Sequence, residues 1–293
     1  MKRVLLVFAV CAAIGSGACD MGAPPQPGST QTRFPIVLAE GLFGFDFFGI
    51  AEDLRAGGAM VFTTRVNPFS DNRTRGTQLI AQIEDVLAQT GATKVHLFGH
   101  SQGGLDARFI LATRPELLAS LTQLASPNQG SPVADSLLTM DDGALQFVID
   151  LLSIAGGEPG TPADFRIALS QLSLAGMASF NQQFPAGLPT APCGNGPASV
   201  GGIPLFSFAG TTVATNVADV SDAVLGITAV NFAAGMPNDG LVGVCSAAFG
   251  TIIRADVQAN HLDFVNQLLG QVGTESILQL YRMHAARLVS MGL

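Results

Sequence analysis

Positive charge is scarce in this 293-residue chain, where 14 Lys and Arg face 22 Asp and Glu for a net charge of −8. With no basic patch anywhere, nucleic acid is excluded as the expected partner. Charged residues of either sign make up only 12%, and the mean hydropathy is +0.40. Yet past the N-terminus no apolar run reaches the roughly 18 residues that a membrane-spanning helix needs. An apolar chain without a span points to apolar surface with a lipid-facing use. Cysteine and histidine are rare as well, four of each, so acid–base and redox chemistry has few places to sit.

What is present starts with an export signal: Lys2 and Arg3, then the apolar stretch Val4 to Ile14 of 11 residues, too short to span a bilayer. Ser16-Gly17-Ala18 offers small residues before a cleavage point, so residues 1–18 read as a signal peptide and the mature chain starts at Cys19. Gly15 to Cys19 also fits a loose lipoprotein box, which makes lipidation of Cys19 the alternative to free secretion. The Pro/Gly/Ser/Thr-rich residues 19–33 read as a flexible tether. Residues 34–293 then form one domain. Cys11 leaves with the signal, and in an oxidising compartment Cys193 and Cys245 are most simply a disulfide; two buried thiols are the alternative.

Within that domain, apolar runs alternate with amphipathic segments in the order of a parallel sheet with crossover helices, an α/β fold. Strands are expected at 35–39, 59–63, 95–98, 122–125, 205–209 and 251–255, and a helix at 76–89. The pattern changes over 131–183, where Gly143 to Ala155 is apolar nearly all round and is followed by a Gly/Pro-rich flank. This segment reads either as a core helix or as a lid that covers a site in water and meets lipid when open.

Gly99-His100-Ser101-Gln102-Gly103 follows an apolar strand and precedes a helix-compatible segment, the setting of a nucleophile elbow. A serine there needs an imidazole to take its proton and a carboxylate to orient the imidazole, in the order Ser, Asp or Glu, His. His96 and His100 precede Ser101, and His284 sits in a helical stretch, whereas His261 lies in a loop at the carboxyl end of a strand. His261 is the expected base. Asp239, in the turn Asn238-Asp239-Gly240, is the expected acid, with Asp219 and Asp222 left open by spacing alone. The oxyanion hole should use the backbone N–H groups of Gln102 and Leu42.

On PIVLAEGLFGFD (35–46), VHLFGHSQGG (95–104), ASPNQGSPVAD (125–135), NDGLVGVCS (238–246) and NHLDFVNQLLG (260–270), the chain resembles the bacterial triacylglycerol lipases of the Pseudomonas and Burkholderia type. The resemblance implies the α/β-hydrolase fold, a Ser101–His261–Asp239 triad and the Cys193–Cys245 disulfide. It implies a structural Ca2+ held by Asp219, Asp263 and Gln267 side chains and the Gln271 carbonyl; Asp263 and Gln267 are expected one turn apart on a helix. It further implies a monomer acting on lipid or ester at an interface, with a lipase-specific foldase as partner, secreted or anchored at the outer membrane. Short-chain carboxylesterase, acyltransferase and a catalytically silent surface-binding protein are the alternative readings. Two departures stand out. Glu40 replaces the usual histidine beside the oxyanion loop, with Arg65 and Arg73 as candidate partners, and the segment after Asp46 is short.

Overall fold

Strand and helix alternate along the chain in a computed structural model that describes residues 29–154, 157–216, 220–266 and 275–293. The expected signal peptide, Cys19 and most of the tether lie outside them. Strands β1 (Ile36–Ala39), β2 (Val61–Thr63), β3 (Val95–His100), β4 (Leu118–Leu124), β6 (Ile203–Gly210) and β7 (Thr251–Val257) pair in parallel in the order β2-β1-β3-β4-β6-β7. The two-residue β5 (Ser199–Val200) adds an antiparallel flank to β6.

Both faces of the sheet are buried, and the side chains show why. Along β1, Ile36 and Leu38 enter one core while Val37 and Ala39 enter the other, as the two-residue period of a strand dictates. Helices α2 (Asn72–Thr90) and α3 (Gln102–Thr113) cover the second face through Leu79, Ile83, Ala107 and Ile110. Helices α1 (Ile50–Ala56) and α9 (Ile277–Ser290) cover the first through Ile50, Leu54, Tyr281 and Leu288. His284 is core, with Nε2 2.7 Å from Thr122 Oγ1 and three phenylalanine rings around it.

Two expected boundaries move. Helix α2 begins at Asn72 rather than 76, because the Asp71 carboxylate caps it by accepting from the Arg73 and Thr74 N–H groups. Residues 30–33, counted above with the tether, are packed: Thr30 is fully buried and donates through Oγ1 to the Leu54 carbonyl. Arg33 N–H donates to the Leu293 carbonyl.

The 131–183 segment forms α4 (Pro132–Leu138), α5 (Asp142–Ile154), α6 (Pro162–Leu172) and α7 (Leu174–Gln183). Ser131, Thr161 and Ser173 side chains cap the N-termini of α4, α6 and α7. Helix α5, expected either as a core helix or as a lid, is covered on one side only. Leu145 and Ile149, four apart, are buried, but Phe147 is 68% exposed. Helix α8 (Val220–Ala229) packs Leu225 against Gly240, beside the turn that follows β6.

Candidate active site

The elbow takes its shape from backbone packed on backbone. Ser101 sits between β3 and α3 with φ 52 and ψ −123, a strained conformation for a residue with a side chain. A Cβ on Gly99 would lie 2.5 Å from the Gly103 carbonyl oxygen, and one on Gly103 would lie 2.4 Å from that of Ala39. Only glycine fits at either place. The Ser101 N–H donates to the Leu124 carbonyl at 2.9 Å, which ties the turn to β4. Its hydroxyl does not cap α3 and is free to turn elsewhere.

That hydroxyl meets His261. After β7, the chain returns over the carboxyl ends of the strands, and His261 N–H donates to the Asp239 carbonyl at 2.9 Å. In the side chains, Nδ1 lies 2.9 Å from Asp239 Oδ2 and Nε2 lies 2.9 Å from Ser101 Oγ. A carboxylate only accepts, so Nδ1 carries the proton and Nε2 is left to accept from the serine. Asp239 is itself fixed: Oδ1 accepts from the N–H groups of Leu241 at 3.0 Å and Val242 at 2.7 Å. Serine, histidine and aspartate are all buried.

The remaining candidates separate by position. Asp222 accepts from Thr215 N–H, Asn216 N–H and Asn260 Nδ2 and has no bond to His261; Asp219 lies outside the described residues. His96 is buried with Nδ1 2.8 Å from Ser120 Oγ, and burial holds its pKa down at about 4. Burial also holds His284 at about 3. His100 donates from Nε2 to the His261 carbonyl at 3.0 Å, and burial, with the neighbouring His261, pushes its pKa well down. These three imidazoles stay neutral and structural.

Beside the serine, Gly41 comes so close that its Cβ would lie 2.8 Å from Ser101 Cβ and 3.3 Å from Oγ. Leu42 follows it and opens a short 3-10 turn, while Gln102 opens α3. Among the described residues neither amide donates to a protein acceptor, as expected of first-turn N–H groups. Both expected donors thus adjoin Ser101, Leu42 through Gly41 and Gln102 in sequence.

Glu40 is buried and paired, but not with the partners expected. Oε1 accepts from Val66 N–H at 2.5 Å and Oε2 from the Thr64 hydroxyl at 3.4 Å. Of the charges that act on it, Arg75 is the stronger and Arg65 the weaker; Arg65 pairs with Glu158 and Arg73 bonds Gln183. Burial raises the Glu40 pKa, with Arg75 and the Val66 N–H pulling against it. Arg75 itself is fully buried, with Nε 2.8 Å from Asp106 Oδ2, Nη2 donating to the Glu40 carbonyl at 2.7 Å and Nη1 to the Asn67 carbonyl at 3.0 Å. Nothing in the sequence pattern pointed to this cluster, because a buried arginine in a first helical turn breaks the polar-outside rule.

A cleft above Ser101 is walled by Leu42, Phe43, Phe45, Leu152, Phe165 and Leu241, among other apolar side chains. Phe43 joins its outer wall to Phe69 and Phe165, with ring centroids 5.1 Å apart in each pair. Such a surface accepts a hydrocarbon chain and repels charge.

Of the four expected calcium ligands only Asp263 is described; Asp219, Gln267 and Gln271 lie outside the described residues. Asp263 starts a 3-10 turn, Asp263–Val265, that closes at Asn266 with φ 53, and the expected helical spacing to Gln267 falls outside the described residues. Its buried carboxylate accepts from Asn260 N–H at 2.8 Å, and Asn260 Nδ2 donates to Asp222 Oδ1 at 2.9 Å. Carboxylate oxygens are the donors calcium takes, and among the described residues no group of three or more His, Cys, Asp or Glu is gathered to hold a metal. Cys193 and Cys245 form a disulfide across 52 residues, just past the Asp239 turn.

Residues 26–152 match the family model for the alpha/beta hydrolase fold. A Vibrio cholerae triacylglycerol lipase is 38% identical to the chain over the full length of both. A Pseudomonas fragi triacylglycerol lipase is 37% identical over 90% of this chain and 99% of its own. Among solved structures, a mature Bacillus licheniformis lipase superposes with a TM-score of 0.64 at 21% identity, covering 90% of this chain and 94% of the other.

Proposed function

Since the chain belongs to the bacterial triacylglycerol lipases of the α/β-hydrolase fold, we propose that it hydrolyses lipid carboxylic esters through an acyl-enzyme on Ser101. The observation that carries this reading is the continuous line Asp239 Oδ2, His261, Ser101 Oγ, with 2.9 Å at each step. His261 Nε2 takes the serine proton as Oγ attacks the ester carbon. The ester oxygen gains charge and is received by the Leu42 and Gln102 N–H groups; His261 then hands its proton to the departing alcohol. Water repeats the sequence on the acyl-enzyme and releases the acid. Asp239 stays ionised and holds the imidazolium in place.

Helices α4 to α7 act as the lid over this site. Leu152 of α5 faces the cleft while Phe147 of the same helix, Ile167 of α6 and Leu174 of α7 face outward, each more than half exposed. A helix apolar on both faces can exchange the cleft for a lipid surface, which favours an interface over a small soluble ester. Asp219, Asp263, Gln267 and the Gln271 carbonyl would hold a calcium ion, which would fix the His261 loop without entering the chemistry. The disulfide suits an oxidising compartment. Residues 1–18 direct export, and a lipase-specific foldase assists folding there.

A serine-directed phosphonate should add its mass once, on the peptide carrying Ser101, and stop ester hydrolysis in step. Ser101→Ala should fold, resist labelling and lose activity by far more than a hundredfold, on the ~10⁶-fold scale of such knockouts. Labelling elsewhere, or turnover surviving in that variant, would overturn the reading.

A further inference from the structure

The two proposed oxyanion donors belong to different segments, Leu42 to the loop after β1 and Gln102 to the start of α3. Something must hold the segments in register. The first turn of α2 touches both. Asn72 and Arg75 are each fully buried and stand three residues apart on one helical face. Asn72 Oδ1 accepts from the Gln102 side-chain Nε2 at 3.0 Å. One turn further along α3, Asp106 Oδ2 takes the Arg75 Nε–H at 2.8 Å. These are two rungs between the same pair of helices. Of the remaining arms of the guanidinium, one reaches the other segment, at the carbonyl of Glu40 two residues before Leu42, and one holds the Asn67 carbonyl in the loop before α2.

Helix α2 reaches this depth because Gly76 follows Arg75. A Cβ there would lie 2.5 Å from the Phe109 ring. Placing an Arg–Asp pair at this depth costs desolvation that its attraction barely repays, and well-packed apolar residues of similar volume serve stability as well or better. Among the described residues Asp106 Oδ1 even lacks a hydrogen-bond partner. Stability therefore does not explain the pair. A planar, five-donor fork does what an apolar side chain cannot: it grips a carboxylate and two carbonyls in fixed directions at once.

We propose that Arg75 and Asp106 are positioning residues that lock the Leu42 amide to the helix bearing the Gln102 amide. They touch no substrate. Their work is to set the gap between two N–H groups that must converge on one oxygen, where an error of about 1 Å can cost a hundredfold in rate. The proposal rests on the hydrolase reading above.

The test replaces the pair by apolar residues of similar size, Arg75→Met with Asp106→Leu, and measures thermal unfolding together with kcat and KM on a soluble short-chain p-nitrophenyl ester. The folded double variant should lose at least about tenfold in kcat with KM within about twofold, because the oxyanion is bound only in the transition state. Asp106→Asn, which keeps the shape and one acceptor for Nε–H, should lose less, about threefold to tenfold. A folded double variant with wild-type kcat, or one that changes KM alone, overturns the proposal. Should the double variant not fold, wild-type kcat in Asp106→Asn overturns it equally. Failure of the wild type to cleave the ester would strike instead at the hydrolase reading.

Discussion

A buried carboxylate next to the place where an oxyanion forms is the residue-level puzzle of this chain. Ionised and unpaired, Glu40 would oppose the developing charge; bonded to Val66 N–H and the Thr64 hydroxyl, it instead ties the end of β1 to the strand beside it. Glutamine can keep an oxygen on Val66 and turn its amide to Thr64. Glu40→Gln should therefore leave thermal stability close to wild type and change kcat by less than about tenfold, or ~1.4 kcal/mol. A collapse of kcat with folding intact would make Glu40 a participant in the chemistry. At this scale the sequence was most informative about residues that stand at turns. Ser101, Asp239 and His261 stood at turns after strands and could be picked out, while Arg75 and Asp106 could not. Their contacts join helices and a loop separated by some 30 residues, and no local pattern encodes such a meeting.

Among the elements, α5 shows how one apolar pattern supports two outcomes. Its sequence reads either as a core helix or as a lid, and the rest of the molecule fully buries only Leu145 and Ile149 among its apolar side chains. Periodicity reports how apolar a helix is, not which neighbours exist to cover it. If the exposed face meets lipid, Phe147→Ser should lower turnover on emulsified triacylglycerol by about thirtyfold, in line with the ~2 kcal/mol gained by burying a large apolar side chain. The loss on a soluble ester should be several-fold smaller, and an equal loss on both substrates would remove α5 from the interface. Strands gave less trouble. Each expected strand from β1 to β7 is found within a few residues of its place, because apolar runs, buried on both faces in the central β1, β3 and β4, leave a dense record, whereas β5, two residues long, leaves none.

For the whole molecule, the calcium reading has a thermodynamic consequence that needs no activity assay. A cation bound by the native chain and not by the unfolded one stabilises by mass action, by about 2.7 kcal/mol at a hundredfold excess over Kd. Chelation should lower the unfolding midpoint by roughly 5–10 °C in a domain of this size, and added calcium should restore it. An unchanged midpoint in chelator, with no metal in the purified protein, would end the assignment. Architecture was legible from the alternation of runs, since a parallel sheet permits few crossover orders; the bonds that join the site's separate segments were not. The glycines around Ser101 carry a last consequence, for how such a protein changes over generations. The nucleophile is located by main chain against main chain, at Gly99, Gly103 and Gly41, so replacement of surrounding side chains leaves its position undisturbed. The cleft above it is walled by side chains. Substrate range can drift by single substitutions there while the reacting atoms stay where they are.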